Sequence, residues 1–220
     1  MVFLTDCRDN FRKNLELKSM LGMLFKQKYN TKRHNKKIAK DLYACALENT
    51  RKEAFYTEYG VPDNFDGRFD LLLLHIFLIL HRIMDHDDYE AISQALFDVM
   101  FKDMDQTLRE MGIGDVGVPK HMKRMMKAFN GRMYNYQVAL APESVEIENV
   151  EGLVIANLDD VLARNIYGGR DHDKAHLARM SVFVRSNIDY DKMSVEKIMN
   201  GQACFLNDAP DNIGEVENVG

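Results

Sequence analysis

The chain has 220 residues, with 29 Lys and Arg against 34 Asp and Glu and a formal charge of −5. That length buries a real core in one domain, and the negative total excludes a general nucleic-acid binder, which would repel phosphate along most of its length. The charge is uneven: +6 over residues 1–60, −8 over 61–118, +5 over 119–140 and −8 over 141–220.

Three cysteines, Cys7, Cys45 and Cys204, are odd in number and lack metal-like spacing. A reducing compartment is expected rather than a disulfide scaffold. The N-terminus, with Phe3, Leu4, Thr5 and Asp6, has no basic stretch before an apolar one, so no secretory signal is expected.

Residues 10–28 read as an amphipathic helix, with Leu17, Leu21, Leu24 and Phe25 on one side and lysines around them. A polar, basic break is expected at 30–35. A second helix over 36–59 points Ile38, Leu42, Cys45 or Ala46, and Phe55 inward, and Gly60 and Pro62 stop it. Asp66-Gly67 offers the cap for a third helix reaching about Met84. Its run at 71–80 is apolar all round, as a central helix should be. Ten helical residues span roughly 15 Å, half of a bilayer's hydrocarbon core.

Residues 90–111 form a long amphipathic helix with the stripe Phe97, Phe101, Met104, Leu108 and Met111, and with Asp98–Lys102 and Asp105–Arg109 at ion-pair spacing. A glycine-rich connector, 112–118, leads to Pro119 as the first residue of the next helix. There Met122, Met126, Phe129 and Met133 share one face, and Lys120, Lys123, Arg124 and Lys127 share another. Residues 142–151 read as acidic and irregular. Helices follow over 153–167 and 172–185, split by Gly168-Gly169, then a short one over 194–199. From Asn207 the chain is polar and acidic, as disordered tails are. The fold class expected is all-α, a multi-helix globule around residues 67–84. The organisation expected is a basic arm at 1–35, a helical domain at 36–200 and an acidic, disordered tail at 201–220.

Few residues suggest chemistry. His75, His81 and the His86-Asp87 pair resemble a metal hydrolase pattern, but His75 and His81 are six apart, about 240° around a helix. A hydrogen-bonded core histidine is the simpler reading of His75, and a solvated helix end that of His81 and His86. Gly112, Gly114 and Gly117 imitate a phosphate loop, yet a helix precedes them where a strand is needed. Asp103, Glu110 and Asp115 read as surface charges or as partners of Lys120, Lys123 or Arg132. Four cations on 120–127, with no acid between 119 and 140, form a positive face suited to an acidic protein, RNA or anionic lipid.

Two blocks carry a resemblance. The first holds Arg51, Phe55-Tyr56, Gly60-Val61-Pro62-Asp63, Asp66-Gly67-Arg68-Phe69-Asp70 and Leu74-His75. The second holds Leu96-Phe97-Asp98, Asp103-Met104-Asp105, Leu108-Arg109-Glu110-Met111-Gly112, Gly114-Asp115, Val118-Pro119-Lys120 and Gly131-Arg132. With a weaker third block from Leu162 to Tyr167, they resemble the ubiquinol–cytochrome c chaperone family over residues 40–185. The chain departs from the family's pattern at Asn130, where an aromatic is usual.

The resemblance implies a helical assembly chaperone for the cytochrome bc complex, without catalysis or cofactor. Its partners would be nascent or newly inserted cytochrome b, the ribosome and a small partner protein, with peripheral membrane contact but no DNA. A bacterial relative is expected in the cytoplasm, at most peripheral to the inner membrane. Client contact is expected at Lys120, Lys123, Arg124, Lys127, Met122 and Met126. Motif or structural roles are expected for Asp103, Arg109, Glu110, Gly112, Asp115, Pro119, Gly131, Arg132, Asp66, Arg68 and His75. The rival readings are an RNA-binding helper of translation, and a helical metal-dependent hydrolase built on His75, His86 and Asp87.

Overall fold

The computed structural model describes residues 31–140, 157–188 and 190–206. The helix expected at 10–28, the irregular segment at 142–151 and the tail from Asn207 lie outside them. All regular structure among the described residues is helical: α1 (31–50), α2 (Ala54–Thr57), α3 (Phe65–Arg82), α4 (Tyr89–Glu110), α5 (Gly117–Ala139), α6 (Leu158–Asn165), α7 (Lys174–Ile188) and α8 (Val195–Met199).

α3 is the central element. Every residue from Phe69 to Leu80 is buried, because α3 packs on α5 and α7 while α5 also touches α4 and α6, and α6 touches α7. Its N-cap is Asn64, whose side chain accepts from the Gly67 amide at 2.9 Å. The cap expected at Asp66-Gly67 therefore lies inside the first turn. Residues 31–35, expected as a break, are helical, and Asn35 is buried. The single helix expected over 36–59 is two, interrupted at 51–53. Residues 201–206, counted with the tail above, carry Ala203 and Phe205 into the core.

α5 starts at Gly117, so Pro119 is its third residue rather than its first. Proline is tolerated there because the first-turn amides have no intrahelical acceptor. The buried face of α5 is Val118, Met125, Phe129 and Tyr136. Met126, expected as a client-contact residue, is 42% exposed. Likewise Met111, expected on the inner stripe of α4, is 57% exposed. Of the two spaced pairs on α4, Asp105–Arg109 closes at 2.8 Å, while Asp98 accepts instead from Gln94 at 2.8 Å.

His75 is a core residue. Its ring is fully buried against Phe55, Phe183 and Phe205, with centroids 5.2, 5.7 and 4.8 Å away. Nδ1 lies 2.9 Å from the Leu71 carbonyl, and Nε2 is buried without a partner. Burial lowers its pKa to about 4. The folded value is below the unfolded one, so this contribution to stability is intact above about pH 6.5 and is lost as pH falls towards 4. Asp70 has the opposite sign: burial raises its pKa to about 6, so the folded state gains stability as pH falls below that. A His75→Asn variant keeps only the second response. Between about pH 7 and pH 5 its unfolding free energy is expected to change about 2 kcal/mol more favourably than the parent's. Urea melts at both pH values check this, and identical changes in the two proteins would contradict a neutral, buried His75.

Candidate functional site: a helix-walled cleft beside a cationic ridge

Four segments meet around a cleft of about 590 Å³. The start of α3 contributes Phe65, Asp66 and Asp70. The end of α4 and the connector after it contribute Leu108, Met111 and Ile113. α5 contributes His121, Arg124, Met125 and Arg132, and the turn after α6 contributes Ile166, Tyr167 and Arg170. Each wall follows from a local signal. Gly112 takes φ +83°, which reverses the chain after α4, and the Gly117 amide bonds back to the Gly114 carbonyl at 2.8 Å as α5 begins. Tyr167 Oη donates to the Tyr59 carbonyl at 2.8 Å, tying the α6 turn to the end of α2.

The buried polar centre of the cleft is Asp70 with Arg132, 2.6 Å apart and only 11% and 21% exposed. Desolvation raises the Asp70 pKa, and the Arg132 charge opposes it. Nearby, Arg132 Nε is buried without a hydrogen-bond partner, and the buried Tyr136 hydroxyl interacts with the Asn165 side chain. Above this pair the charges are solvated: Arg124 and Asp66 stand 3.8 Å apart and are 63% and 77% exposed. An exposed pair of that kind contributes little.

Along α5 beside the cleft, Lys120, Lys123, Arg124 and Lys127 are all exposed, as expected. Met126 lies exposed among them, and Met122 is half-buried. This ridge joins the cleft only through Arg124; Lys120, Lys123 and Lys127 do not line it.

The remaining expected residues scatter. Asp103 accepts from Tyr43 Oη at 2.8 Å and fastens α1 to α4. Arg109 bridges Asp105 and Asp115, and those two carboxylates hold the guanidinium pKa up. Glu110 accepts from Gln106 at 2.8 Å. Asp103, Glu110 and Asp115 therefore do not pair with Lys120, Lys123 or Arg132. Arg132 instead meets Asp70, which joins the ends of the two motif blocks. Arg68 pairs with Asp63 at 2.6 Å and covers the Tyr56 ring at 5.1 Å. Pro119 and Gly131 are exposed on α5, and nothing in the structure explains a glycine at 131. Sequence reasoning missed the cleft and its central pair; the available signal was a lone carboxylate, Asp70, on the flank of an apolar run.

Among the described residues no group of three or more His, Cys, Asp or Glu is placed to hold a metal ion. Cys45 and Cys204 are free thiols. No described helix is long and apolar enough to cross a membrane. The geometry offers apolar walls, one buried ion pair and a cationic edge, a layout for recognition.

By class this is an all-α domain marked by a helix-walled cleft and a cationic ridge. The chain belongs to the ubiquinol–cytochrome c chaperone family, whose model matches residues 57–205. It is 25% identical over 191 residues to the human ubiquinol-cytochrome c reductase complex assembly factor 1, covering 86% of this chain and 59% of that protein. The Mus musculus protein of the same name is 24% identical over 191 residues, with 86% and 60% covered. The chain thus spans about three fifths of the length of these two relatives. The crystal structure of the Cbp3 homolog from Brucella abortus matches with a TM-score of 0.61 at 30% identity, covering 85% of this chain and 97% of that one.

Proposed function

We propose that this chain is a non-catalytic assembly chaperone of the cytochrome bc complex that binds newly made cytochrome b in the cytoplasm. The supporting observation is the continuity of cleft and ridge. Apolar side chains of α3, α4 and α5 line the cleft, Arg124 of the four exposed cations stands in its wall, and Met126 is exposed on the same helix. The family match spans all of these residues. A membrane-protein segment held before insertion needs apolar contact plus a charged rim that sets its orientation. Methionine suits the apolar part because its unbranched side chain repacks against varied shapes. The rim cations steer association and fix register more than they add affinity.

The test exchanges Lys120, Lys123, Arg124 and Lys127 for Glu in the full chain, expressed in a strain lacking the native copy. All four are exposed, so folding should survive, with an unchanged helical circular dichroism spectrum. Cytochrome b captured with the variant is expected to fall at least about ten-fold, and assembled complex III with it. Unaltered capture and unaltered complex would remove the ridge from the reading.

A further inference from the structure

A second cationic surface lies on α1. Lys32, Arg33, His34, Lys36, Lys37 and Lys40 are all exposed. At about 100° per residue, Lys32, Lys36, Lys40, Arg33 and Lys37 fall within one arc of roughly 140°. Asn35, Ile38, Ala39 and Leu42 are buried on the other side. Among the described residues none of the five cations makes an ion pair, whereas the exposed Arg68 and Arg109 each have a carboxylate within 3 Å. The row also includes three like-charge neighbours four residues apart, Lys32–Lys36, Lys36–Lys40 and Arg33–Lys37, and such neighbours weaken a helix. The helix thus holds a concentrated positive field at the expense of its own stability, inside a chain of net charge −5.

We propose that this face of α1 docks the protein peripherally on an anionic bilayer. Four of the five cations are lysines, compact point charges suited to a fluid headgroup layer, whereas directed phosphate recognition favours the arginine fork. Of the groups that stack a base in single-stranded RNA binding, only Arg33 and His34 stand among them, with no Phe, Tyr or Trp. No exposed large apolar side chain stands there either, so the contact is electrostatic and superficial rather than inserted. The inference does not depend on the client reading: vesicle binding without any effect on complex III would keep this one and remove that one.

Vesicle flotation of the full chain tests it. The protein is expected to float with phosphatidylcholine vesicles containing about one third phosphatidylglycerol, to stay behind with phosphatidylcholine alone, and to be released as salt shortens the screening length. Combined Lys36→Gln, Lys37→Gln and Lys40→Gln substitutions should cut partitioning by roughly 100-fold, about five-fold per charge. Glutamine keeps helix propensity, so melting should not fall. The inference is overturned by absence of flotation with anionic vesicles at low salt. It is equally overturned if the triple variant floats unchanged and binding disappears only when Lys13, Lys18, Lys26 and Lys28 are neutralised. A variant that kept lipid affinity but lost binding to an unstructured RNA oligonucleotide would reassign the face to RNA.

Discussion

Asp70→Ala is expected to destabilise the fold by about 3 kcal/mol, measured by urea melts near pH 8, where the carboxylate is ionised. The cost comes from what remains. Arg132 is 21% exposed and already has one buried nitrogen without a partner. Removing Asp70 leaves its charge in the cleft uncompensated. The intact pair is not itself a large source of stability, since burial pushes the Asp70 pKa up despite the guanidinium 2.6 Å away. Replacing both residues, Asp70→Leu with Arg132→Met, should therefore recover most of the loss, to within about 1 kcal/mol of the parent. A single-variant cost well under 1 kcal/mol would show a solvated pair and contradict the cleft described above.

Gly67→Ala should cost about 1–3 kcal/mol, although alanine is the better helix former. Gly67 is buried in the first turn of α3, and a Cβ there would overlap the Pro62 carbonyl oxygen. That oxygen belongs to the backbone of the turn into α3, so the contact is relieved only by moving the start of the helix, and with it Asp66 and Asp70. Gly131 is the control. A Cβ at that position meets nothing within 4 Å, so Gly131→Ala should stabilise by up to about 1 kcal/mol. Thermal melts of the two variants should move in opposite directions; a shared direction would place the Pro62 turn incorrectly.

The contrast between these glycines also marks where sequence reading reached its end. Helix identities were legible because apolar spacing is a local property: the run at 71–80, the stop at Gly60 and Pro62, and the short helix near 194–199 all stand in the structure. Residues 31–35 escaped because a polar, basic stretch was read as a break, though lysine and arginine are good helix formers. The apolar face of α5 was read as Met122, Met126, Phe129 and Met133, and the methionines at 122, 125, 126 and 133 support two phases. Burial of Met125, Phe129 and Tyr136 selects one. The cap of α3 was read at Asp66-Gly67, whereas Asn64 fills it by accepting from the Gly67 amide.

The site was legible only in part. The cations on α5 could be read as one exposed face because four of them fall within eight residues. The pairing of Asp70 with Arg132 joins residues sixty-two positions apart through the packing of α3 on α5, which no local pattern encodes. The same holds for Tyr43 with Asp103, which ties α1 to α4. Three of these four residues, Asp70, Asp103 and Arg132, belong to the motif blocks, and here they hold helices in register. The motif is thus partly a record of architecture, and the exposed ridge and cleft walls remain as the proposed recognition surface.

The central claim is a role in cytochrome bc complex assembly. Its most direct measurement is the amount of cytochrome b haem and of intact complex III in membranes of a strain lacking this chain, with the full chain restored as control. The account predicts that both fall together and that restoration returns them. Normal haem absorbance and normal complex III in the deletion strain would contradict it.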